Sequence, residues 1–200
     1  MPARRTIAAM SASPELLPFT GLDEADRLIA RDPLALLIGF ALDQQVPLQK
    51  AFSGPYEIRR RIGHLDASRI AGTDPAELDR VFRERPAIHR FPGAMAGKVQ
   101  ALCAEIATRY GGDASRIWSE ARDGRDLQAR LMALPGFGEM KVRTILALLA
   151  KQYGIELPGL AALLPNHPTL GDADSYEKVA AYQTAKRAHK AELRAVGKRV

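Results

Sequence analysis

The chain has a single cysteine, Cys103, so it can form no internal disulfide and can hold no four-cysteine iron–sulfur cluster. No apolar run reaches the ~18 residues of a membrane span, so a membrane partner is not expected. The stretch from Met1 to Ser13 carries Arg4 and Arg5 but no long apolar core, so a secretory signal is not expected either. A reducing cytoplasm is the simplest compartment. No segment alternates apolar and polar residues in the manner of a strand, and there is no repeat, low-complexity tract or domain linker. Three chemistries lack their signatures: a Cys/His cluster at zinc spacing, a phosphate-binding loop of the nucleotide-hydrolase type and a nucleophile elbow.

What is present is a soluble composition, 46% hydrophobic and 26% charged, with a formal net charge of +6. The basicity is unevenly spread. Lys186, Arg187, Lys190, Arg194, Lys198 and Arg199 face Glu192 alone at the C-terminal end, and the remainder is nearly neutral. The high pI therefore reports mainly a basic tail, for which nucleic-acid contact and simple solubility are equal readings.

Helical signals follow one another along the chain. Residues 1–20 lack periodicity and read as a loose arm. Asp23 reads as the cap of a short helix through Ile29, and Asp32-Pro33 as the start of the next. Leu34 to Leu42 is apolar nearly all round, which predicts a helix buried on most faces. It ends in Asp43-Gln44-Gln45-Val46-Pro47. Pro47 starts another helix, with Ala51, Phe52 and Ile58 inward and Arg59, Arg60 and Arg61 at a solvated end that could touch a DNA backbone. Short helices are predicted over 65–71 (capped by Asp66) and 75–82, a loop with His89, Arg90 and Phe91 over 86–92, and a long helix over 93–110. A short helix runs through Trp118. Residues 155–170 connect to a charged helix from Ser175 to about Val196. The fold class is all-α, with about nine or ten helices.

Two stretches carry chemistry. In Leu134-Pro135-Gly136-Phe137-Gly138-Glu139-Met140-Lys141, a tight turn joins a helix over 126–133 to one over 139–153. Leu127, Leu131 and Leu134 share one side of the first. Val142, Ile145, Leu146, Leu149 and Tyr153 repeat along the second. Pro135 stops the first helix. Gly136 and Gly138 allow unusual backbone angles and close approach by another molecule. The free N–H groups that open the second helix, with Lys141 in its first turn, suit a phosphate diester. An ordinary αα-hairpin with no ligand is the bland alternative. The second stretch is Gln44-Gln45. Glutamine can hydrogen-bond a base edge or fill the gap left by an extruded base. It can equally be a polar helix end.

Taken together, these residues resemble the helix-hairpin-helix base-excision DNA glycosylases, the HhH-GPD superfamily. The resemblance runs over about residues 20–155 and includes Leu42 to Tyr56, His89-Arg90-Phe91-Pro92-Gly93, Ala96-Gly97-Lys98-Val99-Gln100 and Leu134 to Tyr153. These segments look like a small bacterial branch of that superfamily that lacks an iron–sulfur cluster. The resemblance implies a two-lobed all-helical fold with a DNA cleft between the lobes, within a glycosylase-like domain over 21–160. Residues 161–200 then form a connecting segment and a basic helix. It also implies that Gln44 or Gln45 lies in the cleft, and that Gly136, Phe137, Gly138 and Lys141 grip phosphate. The backbone carbonyls of Met132, Leu134 and Phe137 would hold a structural sodium or potassium ion, for which carbonyl oxygens are suitable ligands. No other cofactor is required. The expected partner is double-stranded DNA, bound by a monomer in the cytoplasm at the nucleoid.

The chain departs from the family in two places. The family's catalytic aspartate follows the second hairpin helix, where this chain reads Gly154-Ile155-Glu156-Leu157-Pro158-Gly159-Leu160-Ala161. Glu156 is the only nearby carboxylate; Asp172 and Asp174 lie further on. Asp43, beside the glutamines, is a second candidate, unless it caps a neighbouring helix. The lysine of bifunctional members falls at Met140, and Lys141 comes one later, rotated by ~100° on a helix. No β-lyase activity of the usual kind is expected. His89 and Tyr56 are further polar candidates, with core or loop roles favoured. The resemblance thus implies a monofunctional DNA N-glycosylase or, with the aspartate missing, a non-catalytic sensor of damage or DNA structure. A helical protein-interaction domain is the distant third reading.

Overall fold

The computed structural model describes residues 13–195, and every regular element among them is helical. Ten α-helices run in order: α1 (Asp23–Arg31), α2 (Pro33–Leu42), α3 (Leu48–Ile62), α4 (Ala67–Ala71), α5 (Pro75–Arg83), α6 (Pro92–Tyr110), α7 (Arg116–Ser119), α8 (Gly124–Met132), α9 (Glu139–Gln152) and α10 (Tyr176–Ala195). Two 3-10 turns, Ala161–Leu163 and Leu170–Asp172, lie between α9 and α10. No described helix is long and apolar enough to cross a membrane.

The local chemistry that starts these helices is largely side-chain capping. Asp32 accepts from the N–H groups of Leu34 and Ala35 at 2.9 and 3.2 Å, with Pro33 in the first turn. Asp74 does the same for α5, Asp66 for α4 and Asp123 for α8. Each such cap satisfies donors that the helix leaves orphaned, and is typically worth about 1 kcal/mol. Asp23 is not a cap. It is the first helical residue of α1, whose N-cap is Leu22, and its carboxylate complements the helix dipole instead.

The helices form two packed groups. In the first, α2 lies against α1, α3 and α6, while α4 and α5 cover α6. Every residue of α2 from Leu34 to Leu42 is buried, as an all-apolar helix requires. Gly39 lets α3 close in, since a Cβ there would lie 2.5 Å from the Phe52 ring. Phe52 in turn meets Phe19 and Phe40 edge-on, with centroids 5.1 and 5.0 Å away. In the second group α8 contacts α7, α9 and the turn at Ala161–Leu163, and α9 packs on Leu170–Asp172. Gly171 makes that last contact possible, because a Cβ there would sit 2.7 Å from the backbone of Ala147.

Buried polar groups tie the two groups together. The Tyr153 hydroxyl, at the end of α9, donates to the carbonyls of Ile29 and Ala30 at 3.2 and 3.0 Å. Asp26 is 0% exposed and accepts from the N–H groups of Phe19 and Thr20 and from the Tyr176 hydroxyl of α10. The arm expected over 1–20 is therefore not loose at its end: Leu17 and Phe19 belong to the core. Residues 1–12 of that arm, and 196–200 of the tail, lie outside the described residues. Arg61 is also not solvated. Its side chain is 2% exposed and donates to the carbonyls of Val81, Glu84 and Pro86, closing the end of α5.

Candidate nucleic-acid interface

The turn between α8 and α9 is built as the sequence predicts, with one difference in the glycines. Gly136 has φ +80°, a left-handed angle that needs glycine. Gly138, the N-cap of α9, has φ −95° and ψ 172°, an extended backbone that any residue adopts. A Cβ on Gly138 would meet no atom within 4 Å. Neither conformation nor internal packing asks for glycine there. No side chain caps α9, and among the described residues the N–H groups of Gly138 to Lys141 have no partner. They are four orphan donors at the positive end of a helix dipole.

Around the turn, Phe137 buries its ring and Lys141 folds back over it. The Lys141 ammonium lies 5.2 Å from the Phe137 ring centre and 3.4 Å from the Gly136 carbonyl. Burial pushes Lys141 down to about 8; the nearby Asp43 carboxylate opposes that shift and the Lys98 ammonium adds to it. Met140 is 78% exposed. The carbonyls of Met132 and Phe137 accept no hydrogen bond among the described residues, and that of Leu134 accepts one, from Phe137 N–H at 3.1 Å. Spare carbonyl lone pairs of this kind fit a hard monovalent cation. No cluster of three or more His, Cys, Asp or Glu side chains that could hold a metal occurs among the described residues.

The Asp43–Pro47 turn is braced from α6 and the loop before it. Gln44 donates its amide to the Ala41 carbonyl at 2.7 Å and accepts from Lys98 Nζ at 2.7 Å. Its backbone carbonyl lies 3.0 Å from His89 Nε2. His89 Nδ1 accepts from Phe91 N–H at 3.1 Å, so the ring proton sits on Nε2 and is donated to Gln44. Burial lowers the His89 pKa, which favours this neutral form. Gln45 is exposed and has φ +56°, the only non-glycine residue described with a positive φ. That strain, on a side chain the rest of the turn leaves unused, marks Gln45 rather than Gln44 as the group presented outward.

The structure thus brings Asp43, Gln44, Gln45, Lys98 and Lys141 into one neighbourhood. Asp43 is half-buried and is the C-cap of α2 through its backbone N–H, which donates to the Gly39 and Phe40 carbonyls; its carboxylate caps no helix, since α3 follows the N-cap Pro47 with no side-chain cap. Its carboxylate acts on Lys141 through space. Glu156 is exposed on the segment after Tyr153 and makes no hydrogen bond among the described residues. Tyr56 belongs elsewhere, donating its hydroxyl to Glu24 at 2.5 Å.

Two elements of this face, Lys98 and the Arg90–Phe91 pair, fall in segments that carry the resemblance but have no individual site role in the sequence. Lys98 sits on a long helix whose apolar stripe gives no cue that one lysine reaches the glutamine turn. The Arg90 guanidinium stacks 4.6 Å above the Phe91 ring, which is half exposed beside His89. The available signal was an arginine beside an aromatic in the loop segment His89-Arg90-Phe91-Pro92. No protein-family model, curated protein or solved structure matches the chain.

Proposed function

We propose that this protein binds duplex DNA and probes its bases as the HhH-GPD glycosylases do, acting as a monofunctional DNA N-glycosylase. The observation that carries this reading is the meeting of two outward-facing elements around Lys141: the uncapped, glycine-opened start of α9 and the strained Gln45 turn. The first offers backbone donors and a cation to a phosphodiester. The second offers an amide side chain on a rigid support, suited to fill a gap in the base stack. The Phe91–Arg90 pair gives a flat face on which an extruded base could stack. Of the two carboxylates, Asp43 lies in this neighbourhood. It would stabilise positive charge developing at C1′ as the C1′–N bond breaks and accept a proton from the attacking water, while the base leaves with the bonding electrons. Lys141 folds against the hairpin, which favours a phosphate contact over a Schiff base.

A non-catalytic sensor is the second reading. It is favoured by the segment after α9, where Glu156 is the only carboxylate and is exposed and unpartnered. A panel of duplexes each carrying one lesion (uracil, hypoxanthine, alkylated purines, oxidised guanine, mismatches) separates the two. Release of a free base, abolished by Asp43→Asn and retained in Glu156→Gln, supports the enzyme. Tight binding to a lesion duplex with no release supports the sensor. Absence of any salt-sensitive duplex binding overturns both.

A further inference from the structure

At the other end of α2 from the glutamine turn lies a second basic feature that the reading above does not use. An open trough of about 610 Å³ is bounded by α1 and α3. Helical spacing builds it: Arg27 and Arg31 are one turn apart on α1, and Tyr56 lies one turn before Arg59 and Arg60 on α3. Four guanidinium groups therefore line one cavity, against the carboxylates of Glu24 and Asp32. Basic residues in a last helical turn are ordinary complements of the dipole. That accounts for Arg31, Arg59 and Arg60 singly, but not for Arg27 or for the convergence of all four from two helices.

The four are not equivalent. Arg27 is engaged by Glu15 at 2.6 Å and Arg60 by Glu57 at 2.9 Å. Arg31 and Arg59 are exposed and have no ion-pair partner among the described residues. The carboxylates are occupied: Glu24 accepts from Tyr56, and Asp32 accepts the two N–H groups that start α2. Two planar forks with unused donors, held beside two more cations, match the oxygens of a phosphate dianion or pyrophosphate. The Glu24–Tyr56 pair at the same wall can accept from a sugar hydroxyl.

We propose that this trough is a binding site for a terminal phosphate group, the chemistry shared by free nucleotides and by the 5′-phosphorylated end of a nucleic-acid strand. The site is independent of the hairpin and of the proposed function.

The test uses the full chain and three probes: inorganic pyrophosphate, a 5′-phosphorylated oligonucleotide and the same oligonucleotide with a 5′-hydroxyl. Affinity is read by calorimetry, and thermal melting confirms that each variant is folded. Saturable pyrophosphate binding is expected, weakened about tenfold or more in Arg31→Gln and in Arg59→Gln and lost in the double variant. Arg59→Lys restores only part, because a lysine lacks the fork. Tighter binding of the phosphorylated strand than of its hydroxyl twin, lost in the same double variant, supports the site and names a strand end as its source. Equal binding of the two strands beside intact pyrophosphate binding supports the site and names a free phosphate compound. No saturable binding of either phosphorylated probe, or binding undiminished in the double variant, overturns the proposal.

Discussion

Raising the pH from 7 to 9 should weaken duplex binding, and Lys141 sets the size of the effect. Burial against the hairpin holds its ammonium down at about 8, below the ordinary 10.5. In the free protein the amine is then about nine-tenths charged at pH 7 and about one-tenth charged at pH 9. A bound phosphate returns it toward the ordinary lysine value, so the complex takes up a proton that the free protein has released. Linkage gives a duplex Kd about tenfold weaker at pH 9 than at pH 7. The sign for folding runs the other way. Between about pH 8 and the unfolded value of 10.5 the unfolded chain binds more protons than the folded one, so the unfavourable contribution of Lys141 fades as pH rises through that window. The assay is fluorescence anisotropy of a labelled duplex at fixed ionic strength. Lys141→Arg should bind with little pH dependence, and Lys141→Ala should bind weakly at every pH with a salt slope smaller by about one. A wild-type curve that stays flat from pH 7 to 9, or one that Lys141→Ala parallels, would refute the assignment of Lys141 to phosphate.

The glycines separate folding from binding. Gly136→Ala should lower stability by about 1 kcal/mol in chemical denaturation, because alanine strains at φ +80°. Gly138→Ala should melt like the wild type and still bind duplex less well, because the added methyl faces open space where the ligand approaches. Gly171→Ala should cost about 1–3 kcal/mol, since its Cβ would collide with α9 backbone rather than a movable side chain. His89→Ala should destabilise by about 1–3 kcal/mol by leaving the Gln44 carbonyl without its donor, and should weaken duplex binding by loosening the turn that presents Gln45.

The all-helical class and nearly every helix start were legible because their causes are local. An Asp-Pro pair, an all-apolar run or a left-handed glycine acts within a turn of itself. Asp32 capping α2 and Gly154 ending α9 at φ +61° are examples. What escaped was long-range pairing. Asp26 is one of three acids in the first turn of α1, with Asp23 and Glu24, and nothing local distinguishes it as the buried acceptor that docks residues 19–20 and α10. Arg61 belongs to a run of three arginines that look alike, and only the course of the chain after α5 selects it for burial. The roles of Gln44 and Gln45 also needed the structure. They are adjacent and identical in type, and the division between a braced residue and a presented one comes from Lys98 and His89, far along the chain.

Fluorescence of 2-aminopurine placed within a duplex, followed during titration with the protein, tests the central claim most directly, because it reports whether a base leaves the stack on binding. The expected result is a salt-sensitive rise with the wild-type chain. Gln45→Ala should bind with nearly the same salt slope but give a reduced rise, and Lys141→Ala should lose affinity while keeping the full rise at saturation. Binding with no rise in fluorescence would contradict base probing, and a rise unaffected by Gln45→Ala would contradict the role given to that turn.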